Sequence, residues 1–198
     1  MLNELKLRGA PDGSCVRGEG TGRRSGGAHK GLNAYRCRVH GKAAHSSLTP
    51  RGCNAIEHAA RLICHIRDLA ELWRAEGPFD AFYDVPYTTI TTNQISGGIA
   101  MNTIPDACEF TYEFRNLASV TPQQVQERIG AYVHGELLPS MQREFAGARV
   151  EIDKLAAAPG LDASEQAAIT QLVRALTGDE SVRKVAYGTE AGLFQGIG

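Results

Sequence analysis

From Gly31 the chain alternates, with Tyr35, Cys37 and Val39 on one side and Arg36, Arg38 and His40 on the other, the period-2 pattern of a half-buried strand. After the turn-rich Ser46 to Asn54 stretch, Ile56, Ala59, Ala60, Ile63, Ile66, Ala70 and Trp73 recur at spacings of three and four. They predict one apolar helix face, ended by Gly77-Pro78, with Glu57 and Arg61 placed as an i,i+4 pair on the opposite face. Tyr87 to Ser96, rich in Thr and Ile, reads as a strand leading to Gly97-Gly98. Cys108, Phe110, Tyr112 and Phe114 then alternate with Glu109, Thr111, Glu113 and Arg115 as another half-buried strand.

Thr121-Pro122-Gln123-Gln124 carries three helix-start features: a Thr cap, a Pro in the first turn where its missing N–H is harmless, and a Gln placed to close a capping box. Val125, Ile129, Tyr132, Val133 and Leu137 supply its buried stripe, and Arg149 to Asp153 alternate as a last short strand. The order from Gly31 to Leu155 is therefore β-α-β-β-α-β, which predicts an α+β, ferredoxin-like unit: a four-stranded antiparallel sheet with both helices on one face. Beyond Pro159-Gly160, Ser164 to Gly178 reads as a helix and Val182 to Tyr187 as a strand, an α-β tail resembling a piece of a larger α/β domain.

The first thirty residues differ, with Gly throughout and Arg at 8, 17, 23 and 24, and have too few apolar side chains for a core of their own. The whole chain of 198 residues is 42% hydrophobic and 22% charged, with a formal net charge of −1, so neither wholesale disorder nor nonspecific binding to nucleic acid or an anionic membrane is expected. No apolar run is long enough to span a bilayer or serve as a secretory signal, which points to a cytoplasmic address. Five cysteines without a C-x-x-C pair suggest reduced, mostly buried thiols.

Chemistry concentrates in a few loops. His45, flanked by small residues at a strand exit in Gly41-Lys42-Ala43-Ala44-His45-Ser46-Ser47, suits either a cap or a hydrogen-bond donor to developing negative charge. Asn102, in Ser96-Gly97-Gly98-Ile99-Ala100-Met101-Asn102-Thr103-Ile104-Pro105-Asp106, offers both donor and acceptor on a loop that also fits a plain hairpin. Arg115 could clamp a carboxylate through its planar fork. Glu19 in Gly18-Glu19-Gly20-Thr21 and Glu190 in Gly188-Thr189-Glu190-Ala191 each place a carboxylate among small residues, as a metal or substrate contact requires. H-x-D, H-E-x-x-H and Glu-Glu signatures are missing from the sequence.

Together with His29-Lys30-Gly31 and Phe114-Arg115, these segments occur in an order that resembles the M20 metallopeptidase family. The final Gly-Thr-Glu-Ala-Gly-Leu-Phe-Gln is more similar to its acetylornithine deacetylase branch than to its succinyl-diaminopimelate desuccinylases or carboxypeptidases. The resemblance implies an α/β catalytic domain with two zinc ions, interrupted by a lid that forms a homodimer, and hydrolysis of N-acetyl-L-ornithine to ornithine and acetate.

On that resemblance residues 1–29 are a poorly ordered remnant of the catalytic domain, 30–155 the lid and 156–198 a partial return. His45 is the histidine that reaches the partner's active site and stabilises the oxyanion, Asn102, Arg115 and Glu190 contact substrate, and Glu19 binds metal. The remaining zinc ligands and the general-base pair have no counterpart in this sequence, so the chain resembles a fragment unable to catalyse alone. A noncatalytic dimerisation module is the competing expectation.

Overall fold

The computed structural model describes residues 28–162 continuously, together with Glu4–Leu5, Val16–Arg17, Lys184–Val185 and the helical positions Gln171 and Ala175. Its centre is the expected β-α-β-β-α-β unit: β1 (Gly31–His40), α1 (Ala55–Glu76), β2 (Thr89–Gly97), β3 (Ala107–Asn116), α2 (Pro122–Tyr132), α3 (Leu138–Glu144) and β4 (Arg149–Ala158). The strand order is β2-β3-β1-β4, every pairing antiparallel. β1 and β3, which are not consecutive in the chain, therefore lie side by side at the centre, and the long connection from β1 to β2 passes over β3.

Burial along β1 and β3 follows the alternation in the sequence. Tyr35, Cys37, Val39, Cys108, Phe110, Tyr112 and Phe114 are buried on the helix side. Tyr35 and Tyr112 are register partners whose rings stack at 5.4 Å, and the Tyr112 hydroxyl donates to Gln126 Oε1 at 3.1 Å, satisfying the polar end of a buried ring. The open face is polar: Arg38 bridges Glu109 at 2.9 Å and Asp153 at 2.6 Å, tying β3, β1 and β4 together on the solvent side.

The capping box forms as the residue types require, with Gln124 N–H donating to Thr121 Oγ1 and Thr121 N–H to Gln124 Oε1. The helical path does not stop where α2 ends at Tyr132. It passes through a π turn at Val133–Leu137 and continues as α3, so Val125, Ile129, Val133, Leu137 and Met141 form one buried stripe, with Tyr132 at its half-buried margin.

In α1 the buried face is rotated from the expected one. Ala55, His58, Ala59, Leu62, Ile66, Leu69 and Trp73 face the core, while Ile56, Ile63 and Ala70 are half-buried and Ala60 is exposed. Ile56 lies against Gly97 at the end of β2, and Ile63 and Ala70 follow it at seven-residue intervals on the same face, so they run along the β2 side of the helix. The opposite flank faces α2 and α3, where His65 stacks on Tyr132 and Arg61 donates to Ser140 Oγ. Arg61 is thus engaged away from Glu57, which accepts from Asn54 Nδ2, and the charge pairs that do form along α1 join Arg67 and Arg74 to Glu71.

Ala28–His29 pairs antiparallel with Leu161–Asp162 and parallel with Lys184–Val185, so three segments distant in sequence meet in a second small sheet. The expected helix of 164–178 lies outside the described residues apart from Gln171 and Ala175.

Candidate functional site

At the exit of β1 the backbone is packed too tightly for any side chain. Gly41 N–H donates to the Asp106 carbonyl at 2.7 Å, and a Cβ on Gly41 would sit 2.0 Å from the Cys53 carbonyl oxygen. Lys42 and Cys53 then exchange two backbone hydrogen bonds of 2.9 Å. These contacts aim the short strand Ala44–His45 at Thr103–Ile104, with His45 opposite Thr103. The connection from β2 to β3 is therefore more than a plain hairpin, because part of it leaves the main sheet to pair with the His45 segment. Gly98, at φ 81°, supplies the left-handed residue with which that connection begins.

The result is that His45 and Asn102 share one exposed end of the unit. His45 caps the 3-10 turn Ser46–Arg51: Ser47 N–H donates to its Nδ1 at 3.2 Å, and Ser47 Oγ lies 2.7 Å from the same nitrogen. Of the two readings of this residue, the cap is the one observed. Because Nδ1 accepts the backbone hydrogen, a neutral imidazole carries its proton on Nε2, leaving an N–H donor on an exposed ring. Leu48, Ile99 and Met101 are exposed apolar residues on the same two loops.

Arg115 is elsewhere. It lies at the far end of β3, where Nε and Nη2 both donate to Glu113 Oε1 at 3.3 Å and the side chain is about one-quarter exposed, 25%. The ten residues of β3, at ~3.3 Å each, put roughly 30 Å between this guanidinium and the His45–Asn102 end. Arg115 stands next to Asn116, which donates to the Val120 carbonyl at 2.8 Å and accepts from Asn33 at 3.0 Å. Buried Lys30, whose ammonium donates to the Tyr87 carbonyl, lies beyond β1 at the same end. Glu19 and Glu190 lie outside the described residues.

Among the described residues one group of three possible metal ligands converges, Cys53, His58 and Glu144. Sequence spacing gives no sign of it, since Glu144 comes 86 residues after His58. This thiol-containing set at a helix end lies in the β-α-β-β-α-β unit and is unlike the carboxylate-bridged pair that two hydrolytic zinc ions need. With Glu19 the one further metal contact suggested by sequence, the described residues do not fit a two-zinc centre.

The family described as Peptidase dimerisation domain, M20_dimer, matches residues 27–141, which contain β1 to α2, both loops of the His45–Asn102 end and Arg115. The chain belongs to the M20 peptidase family. Acetylornithine deacetylase from Edwardsiella ictaluri is 31% identical over 184 residues, 92% of this chain and 46% of that protein. The Klebsiella pneumoniae acetylornithine deacetylase is 32% identical over 93% of this chain and 46% of its own length. This chain thus spans less than half the length of these curated relatives.

Among solved structures, aminopeptidase PepT from Bacillus cereus superposes with a TM-score of 0.68 at 18% identity, over 92% of this chain and 45% of that one. Aminobenzoyl-glutamate utilization protein from Klebsiella pneumoniae gives 0.60 at 19% identity, over 86% and 42%. At these identities the likeness establishes the fold alone. The expected α+β dimerisation lid is the fold observed.

The two sheet edges of this M20 unit differ in a way that matters for dimerisation. β4 carries Arg149, Glu151, Asp153 and Lys154, the charges that discourage strand pairing. β2 reads Thr-Ile-Thr-Thr-Asn-Gln-Ile-Ser-Gly and has no charge at all. Each edge has one register irregularity, so bulging does not distinguish them. Ile95, on the sheet face shared with its register partner Phe110, is 56% exposed, and α1 sets half-buried Ile56 and Ile63 on this side. No helix among the described residues is long and apolar enough to cross a membrane.

Proposed function

We propose that this chain supplies the dimerisation lid of a metal-dependent amidohydrolase acting on N-acyl amino acids, with N-acetyl-L-ornithine as substrate, in the cytoplasm. Two copies join through β2 and the adjoining flank of α1, the uncharged edge with exposed Ile95. The observation that carries the reading is the separation of His45 and Asn102 from Arg115 by the length of a strand. A small N-acyl amino acid is much shorter than the roughly 30 Å between them, so both ends serve substrate only if they serve different active sites.

In this reading His45 and Asn102 close over the partner subunit's site while Arg115 faces its own subunit's. The Nε2–H of His45 is held by the Ser47 cap in the tautomer that donates to the oxyanion of a tetrahedral intermediate. Asn102 orients the substrate from the paired loop. Arg115 exchanges its Glu113 contact for the substrate carboxylate, a charge-assisted fork that fixes the amino acid end. Glu190 contacts substrate and Glu19 contacts metal, within a catalytic domain to which 1–29 and 156–198 contribute and which 30–155 covers. A metal pair bound in the whole enzyme would supply the hydrolytic nucleophile, and among the described residues no set is assigned to hold it.

Subunit exchange tests the assignment. A full-length acetylornithine deacetylase with Ala in place of the histidine aligned to His45 is mixed with this chain, and mixed dimers are verified by native mass spectrometry. Ornithine release recovers with the unaltered chain and stays at background with the His45→Ala chain. Equal recovery with both chains, or none in verified mixed dimers, contradicts the reading.

A further inference from the structure

We infer that Cys53, His58 and Glu144 form a binding site for one divalent cation of the zinc class, lying in the lid and distinct from the hydrolytic pair. The three side chains come from separate segments: the residue before the α1 cap, the first turns of α1 and the last residue of α3. Their ligand atoms all lie within 4.8 Å of one another, and His58 Nε2 is 3.1 Å from Glu144 Oε2. Tetrahedral zinc with sulfur, nitrogen and oxygen ligands sets neighbouring ligands about 3.3–3.8 Å apart. A small rotation of the Glu144 side chain, whose exposure is 45%, closes that difference and leaves a fourth position open to water.

The donor types select the cation. A thiolate and an imidazole favour zinc, cobalt or nickel over magnesium and calcium, which prefer oxygen throughout. Charge favours it too. A divalent ion with one thiolate, one carboxylate and a neutral imidazole is electrically balanced, whereas the thiolate alone would be an unpaired charge in a fully buried position.

Two further features point to a ligand. His58 is 5% exposed, and while its Nε2 meets Glu144 Oε2 its Nδ1 is buried without a hydrogen-bond partner, so one nitrogen of the ring is left unsatisfied. The Cys53 thiol faces the Met141 carbonyl at 3.8 Å, one of the carbonyls at the end of α3, where the helix dipole is negative and attracts cations. Lys42 is the opposing charge, and its ammonium lies over the neighbouring Phe145 ring at 5.7 Å. Since Cys53 is bridged to Lys42 at the base of the His45 strand, an ion here staples α1 and α3 to the segment that presents His45.

The test titrates the whole chain, stripped of metal and carrying Cys64→Ser, which removes the one exposed thiol among the described residues, and Cys15→Ser, with Zn2+ by calorimetry and with Co2+ by absorbance. One equivalent binds, Co2+ gives a thiolate charge-transfer band with tetrahedral visible bands, and Zn2+ raises the melting temperature. Cys53→Ser abolishes the charge-transfer band, and Glu144→Gln, altered at a half-exposed position, weakens Zn2+ binding by about tenfold or more. Should Cys53→Ser fail to fold, Glu144→Gln decides the matter. Absence of the band in the parent chain, a band that persists in folded Cys53→Ser, or unchanged affinity in Glu144→Gln overturns the inference.

Discussion

The backbone N–H of Ser46 donates to the carbonyl oxygen of Asn102 at 2.9 Å, which locks the loop carrying His45 to the loop carrying Asn102 although 56 residues separate the bonded pair. Two side chains that the sequence suggested separately are thereby one structural unit, fixed by main-chain bonds on either side of His45.

Gly41 is where that unit is most vulnerable. In Gly41→Ala the new Cβ meets the Cys53 carbonyl at 2.0 Å, and the obstacle is backbone rather than a movable side chain. Urea unfolding shows a loss of about 1–3 kcal/mol, and the His45 imidazole resonances shift as the strand pairing is disturbed. Gly130→Ala, in α2 with nothing within 4 Å of the added carbon, is the control and raises stability by roughly 0.5–1 kcal/mol.

Thr121→Ala removes the side-chain half of the capping box and leaves the Gln124 N–H without its protein acceptor at an exposed helix end. Thermal and urea unfolding report a loss of ~1 kcal/mol. Thr121→Ser keeps the acceptor and most of the stability.

Much of this was legible because it is local. The alternation in β1 and β3, the Thr121 cap and the Gly77 stop are each written within a few residues, and all are present in the structure. α1 was less legible because it is apolar over more than one stripe: the periodicity cannot tell Leu62 and Leu69, which face the core, from Ile63 and Ala70, which run beside the uncharged edge. Asn102 and Arg115 appeared as isolated candidates, and their opposite placement depends on sheet register. Cys53, His58 and Glu144 left no local trace, since their meeting requires α3 to return to the start of α1.

Lys30 gives stability a defined pH dependence. Burial lowers its pKa to about 8 from the ordinary 10.5, with the Asp80 carboxylate acting in the opposite direction. Between those values the unfolded chain binds the extra proton, so stability rises with pH, by at most ~1.4 kcal/mol per pH unit. Buried Cys37 and Cys53, pushed up from 9.0 to about 12 and about 11, act the other way once pH exceeds 9. The lysine effect is therefore seen between pH 8 and 9. Across that interval the urea midpoint of the parent chain rises relative to that of Lys30→Met, in which only the opposing cysteine contribution remains.

Purified chain with excess Zn2+ and N-acetyl-L-ornithine releases no ornithine, because the described residues do not fit a two-zinc centre. A ninhydrin assay over hours checks this. Sustained release would show that this chain holds a hydrolytic centre of its own.

The lid account is tested most directly by sedimentation equilibrium of the chain and two edge variants, Ile95→Lys on β2 and Leu155→Lys on β4, side chains that are 56% and 47% exposed. The parent chain and Leu155→Lys sediment as dimers and Ile95→Lys as a monomer with an unchanged circular dichroism spectrum. A monomeric parent, or a dimer that survives Ile95→Lys and dissociates with Leu155→Lys, contradicts pairing through the uncharged edge.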